Sequence, residues 1–512
     1  MTFGILEIKG GGHVPGTALL EDVQSAQQFN AAHLKHGTGQ HEKTVLVPQP
    51  SNDPNDPLNW PLWQRDIIFL LLCYCTILCA GTQSFGISFT QVSQLTGYQL
   101  CAVGALGVFM STWTRVYGKR PVFVFSMLFC LAGTIWGGVA TSYNFLLGAR
   151  VLQGCGVCVW ESVMYSIVGD LYFVHERGAR MAFFGTCASG FGNFGSLIAG
   201  VVAKNLGWRW CFYVLNIFLG IGTIAIIFFG WETVYRRDAA LFDTDVAADT
   251  GFVFDDTKPS VVEEEAVNDS LTLKRNSFPR RLALYSGRYT NQSFFSLTVR
   301  PFVICVNPAV IWSTLTIAVI TTWQVLMSLV ISQVFSAPPF NLDSAQTGYL
   351  YGGPIIGAVL GAIFCGSISD RIAEYMAKKN NGIYEPEFRL VLFAGMAVLS
   401  ALGFFLFGNL IAKGASPVSI AFYSVAVGTY MVDGYRGISI EVFIIGMIAK
   451  NFMCFGFTFF MNNWAASWGP ARLFNCLGGI QVGICVTAIP MYILGKRCRS
   501  YFRDHSIYST ET

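Results

Sequence analysis

Twelve apolar stretches of near bilayer-spanning length run along this chain of 512 residues, six on each side of a polar segment at about 232–300. A helix in lipid must satisfy every backbone N–H and C=O internally, and it needs ~20 mostly apolar residues to cross a ~30 Å hydrocarbon core. Twelve such crossings commit the chain to an all-α membrane protein of two six-helix bundles. In the first half the pattern predicts spans at 67–87, 92–114, 122–140, 145–168, 181–202 and 211–230. In the second half it predicts 308–330, 347–368, 390–411, 417–432, 442–462 and 473–494. The 53 glycines suit helices that pack closely through small-residue faces. A net charge of +3 gives no basis for binding nucleic acid.

This divides the chain into a tail at 1–64, a bundle at 65–230, a central loop at 231–301, a second bundle at 302–495 and a tail at 496–512. The cations favour one side. Arg115, Lys119 and Arg120 follow the second span, Arg177 and Arg180 the fourth, and Arg371, Lys378 and Lys379 the eighth. Lys496, Arg497, Arg499 and Arg503 crowd the last tail, whereas the opposite loops hold only Lys204, Arg209, Lys413 and Arg472. Lys/Arg bias sets orientation, so both tails and the central loop are expected in the cytoplasm. That loop is acidic first and basic later (Lys274, Arg275, Arg280, Arg281) and reads as a disordered tether whose basic part suits anionic lipid. The first 60 residues lack the apolar core of a cleavable signal peptide. The 15 cysteines mostly sit inside apolar runs and read as small packing residues.

Ionisable residues inside lipid are costly and are the first candidates for function. Arg150 and Glu161 lie in the fourth span, eleven residues apart, so both point to nearly the same helix face. Gln153 follows Arg150 by one turn. Lys450 stands near the middle of the eleventh span with Asn451 beside it. Each charge has two readings, an ion pair that locks helices together or a contact on the path of substrate or proton. A buried carboxylate at 161 would be a proton carrier of raised pKa. All six histidines lie in tails or loops, so proton coupling has to use carboxylates. Asp433 and Glu441 sit at a membrane edge, which favours caps or inter-helix contacts. Trp323 and Gln324 in the seventh span, Tyr349 and Tyr351 in the eighth, and Trp160 are aromatic or polar candidates for a pocket lining. Gly353, Gly357 and Gly361 form a packing face. No HExxH, P-loop or GxSxG motif is present, which argues against an enzyme and gives no cofactor to expect.

Gly118-Lys119-Arg120-Pro121 after the second span and Gly366-Ser-Ile-Ser-Asp370-Arg371 after the eighth resemble two ends of one loop motif of the major facilitator superfamily. Their equivalent places make an internal repeat. Arg150-x-x-Gln153-Gly154-x-Gly156 resembles the fourth-span motif of drug:proton antiporters. A fungal, twelve-span branch of that antiporter-like family is indicated by Asp53-Pro-Asn-Asp-Pro-Leu-Asn-Trp-Pro61, Gly169-Asp170, Tyr384-Glu-Pro-Glu-Phe-Arg389, Tyr430-x-x-Asp433-x-Tyr435 and Lys450-Asn451-Phe452. The resemblance implies the major facilitator fold and alternating access around a site between the halves. It implies gating by the loop-motif residues Gly118, Lys119, Arg120, Asp370 and Arg371, with Asp433 grouped among them.

Three features depart from the family pattern. Arg115 stands where the first loop motif carries an acid, and 195–200 lacks the proline and second glycine of the antiporter fifth span. The apolar run at 67–80 is only 14 residues, ~21 Å at helical rise, where relatives carry a longer first helix. We therefore expect a truncated first span. The expected function is secondary transport of a small organic solute (drug, polyamine or secondary metabolite) with protons, by a monomer in the plasma membrane or alternatively the vacuolar membrane. The competing expectation is a non-transporting sensor or degenerate transporter.

Overall fold

The computed structural model describes residues 50–81 apart from 52, 89–235 apart from 190, most of 277–352, scattered positions between 355 and 409, 439–504, and the pair 18–19. It is all-α except for a two-residue antiparallel contact between β1 (Ala18–Leu19) and β2 (Ile383–Tyr384). The first half contributes α1 (Leu62–Gly81), α2 (Phe89–Tyr117), α3 (Lys119–Gly138) and α4 (Tyr143–Ser162). It continues with α5 (Met164–Leu171), α6 (Val174–Ser189), α7 (Phe194–Leu206) and α8 (Trp208–Phe229). In the second half, α9 (Phe294–Ile304) turns into α10 (Pro308–Ser336), and α11 (Ser344–Leu350) begins the eighth span. The chain ends with α12 (Ser439–Thr458), α13 (Met461–Trp468), α14 (Pro470–Val486) and α15 (Ala488–Asp504).

Among the described residues six helices are long and apolar enough to cross a membrane, and eight if two bent pairs each count as one span. The polar helix α4 matches α1 and α3 in length, 20 residues each, and carries Arg150, Gln153 and Glu161. The span placed at 417–432, most of those at 347–368 and 390–411, and the packing face at Gly353, Gly357 and Gly361 fall outside the described residues.

The first span begins before its apolar run, while 82–88, the place of the expected truncation, lie outside the described residues. Helix α1 starts at Leu62, five residues before the apolar run, and its 20 residues reach ~30 Å. The polar residues just before the apolar run are part of the helix. Arg65 is buried and donates from Nη1 to the Leu171 carbonyl at 2.9 Å, while Asp66 accepts from the Tyr172 hydroxyl at 2.6 Å. Partners supplied by α5 and its C-cap make these side chains tolerable in a helix that hydropathy alone cuts short. Within the central loop, the described residues from 277 onward are folded against the ends of α2 and α3 rather than forming a disordered tether, while 236–276 lie outside the described residues.

Each half is inside-out relative to a soluble protein. On α8, Ile217, Ile221, Ile224 and Phe228 recur at helical spacing and are exposed, while Leu215, Leu219, Gly222 and Ile226 face inward. With lipid outside, no hydrophobic drive holds helices together, so close packing must. Gly156 on α4 meets α3 so closely that an added Cβ would lie 2.5 Å from Cys130 Sγ and 2.6 Å from the Ser126 carbonyl. Backbone cannot yield to that contact. Gly156→Ala should therefore destabilise the purified protein by about 2–3 kcal/mol. A melting temperature in detergent equal to that of the parent would show that the helices separate without cost.

The halves meet along two seams. Helix α2 packs on α12, pairing spans two and eleven, and α7 packs on α11, pairing spans five and eight. Exchanging the two six-helix halves turns one seam into the other, as an internal repeat requires.

Candidate functional site

Within the first seam the fourth span brings Glu161 to the partner bundle. Ser142 caps α4 by accepting from the Phe145 amide at 3.3 Å, and α4 then runs without a break to Ser162. Glu161 Oε2 accepts from Lys450 Nζ at 2.7 Å and from Asn451 Nδ2 at 3.1 Å. Side-chain exposure is 19% for Glu161 and 7% for Lys450, so the pair is largely withdrawn from solvent. Helix α12 is in turn fixed to α10, where the Thr322 hydroxyl donates to the Lys450 carbonyl at 3.4 Å and Cys454 Sγ lies 3.4 Å from the same hydroxyl. The contact thus joins side chains 289 positions apart in sequence, one from each half.

A cavity of about 10 Å³ adjoins the pair, lined by Val103, Gly107, Cys158, Glu161, Met447 and Asn451 among others. It has room for one water molecule. An added Cβ on Gly107 would meet nothing within 4 Å, so the space reaches the α2 backbone. Asn451 is 1% exposed and its Oδ1 lacks a hydrogen-bond partner. A buried acceptor in that state costs ~1–3 kcal/mol and is a place for a water or a substrate donor.

The other candidates fall into separate groups. Arg150 is buried about three turns nearer the start of α4, donating to Gln153 Oε1 at 3.2 Å and Gln99 Oε1 at 3.5 Å, with its guanidinium 5.3 Å from the Phe212 ring centre. Gln153 passes the chain on to Thr134 Oγ1 at 2.9 Å. Arg150 and Glu161 share a face, as their spacing requires, but Arg150 serves the interior of the first bundle rather than the seam. Trp323 and Trp160 are core residues, Trp323 edge-on to Phe457 at 5.2 Å and Trp160 tilted against Phe123 at 4.7 Å between ring centres, and neither lines the cavity. Tyr351 is buried against Ser332 at 3.1 Å, while Tyr349 is exposed. The side chains of Gln324 and Glu441, and Asp370 and Asp433 altogether, lie outside the described residues, and Arg371 is exposed.

The first loop motif forms a buried elbow at the cation-rich end. Gly118 has φ 96°, and an added Cβ would come within 2.3 Å of Glu232 Oε2. Only glycine fits both demands. Glu232 accepts from the amides of Lys119 at 3.0 Å and Arg120 at 3.1 Å, capping α3. Burial pushes its carboxyl above the ordinary carboxylate range, and the amides of Lys119, Val234 and Arg120 pull it back. Lys119 Nζ pairs with Asp170, and Arg120 reaches the carbonyls of Gly230 at 2.8 Å, Ile227 at 2.7 Å and Leu282 at 3.2 Å. All described partners of Lys119 lie in the first bundle or at Glu232 just after it. Sequence reading missed Glu232 and Gln99 because each is polar at a position where nothing local marks a partner; only the return of the chain brings them to the motif and to Arg150.

The profile of the Major Facilitator Superfamily matches residues 67–470. An uncharacterized MFS-type transporter of Schizosaccharomyces pombe is 27% identical over 95% of this chain and 93% of its own. Protein HOL1 of Saccharomyces cerevisiae is 25% identical over 95% of both chains. Among solved structures, a peptide transporter POT in complex with sulfate covers 85% of this chain and 95% of its own, with a TM-score of 0.52 at 14% identity. That last likeness concerns the fold alone.

Proposed function

The chain belongs to the major facilitator superfamily, and from that premise we propose that it is a proton-coupled secondary transporter of a small organic solute. Relatives bearing transporter names along nearly the whole chain support a role in transport rather than catalysis. The observation that carries the finer reading is the Glu161–Lys450–Asn451 contact between the halves. A carboxylate held by an ammonium and an amide has two ways to leave that pairing. It can take up a proton, or a cationic group of the substrate can replace Lys450. Either event removes the attraction that joins α4 to α12 and lets the bundles rock apart. The present cavity admits only a water, so substrate entry requires that separation. A solute with an ammonium beside an apolar body fits best, such as a polyamine, a cationic drug or an amphipathic secondary metabolite. A monomer suffices, because both sides of the contact come from one chain. The plasma membrane is the proposed location, with the vacuolar membrane as the alternative.

The test is transport by the purified full-length protein in liposomes, with an imposed pH gradient and a panel of radiolabelled cationic solutes. Accumulation that follows the gradient and collapses with a protonophore supports the reading. Binding without flux would favour a sensor that kept the fold.

A further inference from the structure

Between the halves, the segment 277–307 carries Arg280, Arg281, Arg288 and Arg300 and no acidic residue. Its fold is fixed at four places on the cation-rich end of the first half. Arg281 lies over the Trp231 ring at 5.3 Å, the Leu282 carbonyl accepts from Arg120, the Tyr289 amide donates to the Val116 carbonyl at 2.8 Å, and Thr298 Oγ1 donates to Thr112 Oγ1 at 3.2 Å. Helix α9 then bends by 88° into α10, so a spanning α10 leaves α9 parallel to the membrane plane.

The two faces of α9 differ. Leu297, Thr298 and Pro301 are buried against the protein. Phe295, Val299 and Phe302, spaced at helical intervals, are exposed, Phe295 by 76%, and Val306 in the bend that follows is exposed too. Phe278 and Tyr285, flanking the arginines, are exposed as well. An in-plane helix with an outward apolar face and neighbouring cations matches the boundary between head groups and acyl chains. Arg280 is exposed, and Arg288 uses one donor on the Gln292 carbonyl at 2.6 Å, leaving the rest of its five-donor fork to reach outward.

We propose that 277–306 is a binding element for anionic phospholipid, with α9 lying in the interface and Arg280 and Arg288 holding the head-group phosphate. The element is tied through Arg120 and Thr112 to the elbow and to α2, so lipid charge acts on the helix that forms the first seam. This proposal does not depend on which solute is carried.

Native mass spectrometry of the full-length protein in micelles doped with phosphatidylserine or phosphatidylcholine tests it. Phosphatidylserine should be retained in preference to phosphatidylcholine, and high salt should abolish the preference. R280Q/R288Q should weaken retention roughly fivefold for each arginine removed. Both positions are exposed, and an unchanged melting temperature of the variant would confirm its fold. In nanodiscs, amide exchange across 294–304 should slow when phosphatidylserine is added to the parent but not to the variant. Equal retention of the two lipids, full retention by R280Q/R288Q, or displacement of lipid by millimolar inorganic phosphate would overturn the proposal, the last by showing a site for free phosphate instead.

Discussion

Glu161→Gln should eliminate accumulation driven by a pH gradient. The amide keeps the size of the carboxylate but can neither carry a proton nor balance Lys450, whose side chain is 7% exposed. Breaking a buried pair by removing one partner costs about 3–5 kcal/mol, so a lowered melting temperature is expected with the single change. That loss would hide the effect on coupling unless the stranded charge is removed too. E161Q/K450M replaces the pair by neutral groups of similar volume and should recover most of the stability, as neutral replacements of buried pairs do. Transport then separates the two roles. The double variant should remain folded, bind solute less well and show no response to the pH gradient. A stable E161Q/K450M that still concentrates solute along the gradient would sink the assignment and move the proton to another carboxylate. Recovery of both stability and coupling would make the contact a structural clasp.

The architecture was largely legible in the sequence because lipid imposes a simple rule on backbone hydrogen bonds. The helices near 122–140 and 211–230 follow from hydropathy to within a few residues of α3 and α8. Where hydropathy failed, side-chain partners were the reason. The buried Arg65 extends α1 upstream of its apolar run. At the site, helical spacing placed Glu161 and Arg150 on one face but could not say which of them reaches the other half. The pairing of Glu161 with Lys450 depends on how two bundles dock, and no local pattern encodes it. The family resemblance named the loop-motif residues, yet the use of Glu232 as the cap of α3 follows only from the return of the chain after α8.

Joining position 204 to position 343 should stop transport. Lys204, in the last turn of α7, pairs with Asp343, the N-cap of α11, at 2.6 Å, so the second seam carries an ion pair between the halves. By chain order this end is opposite the elbow at Gly118, on the side expected to face outward. The hydrogen bond from Lys204, helped by the Ser344 amide, holds the Asp343 carboxyl below the ordinary carboxylate range. Its favourable contribution is therefore present at neutral pH and is lost only as pH falls through that lowered value. Both side chains are nearly half exposed, at 48% and 46%, so the pair itself adds little to stability and is easily given up when the seam opens. A covalent bridge cannot be given up. K204C/D343C joined by a short bifunctional thiol reagent should fall to the transport level of empty liposomes. Either single variant, treated alike, controls for modification of the native cysteines and should keep most of its activity. Cleaving a reducible bridge should restore transport in the double variant. Undiminished flux through the bridged protein would mean that this seam stays closed throughout the cycle, and that access alternates about some other pair of helices.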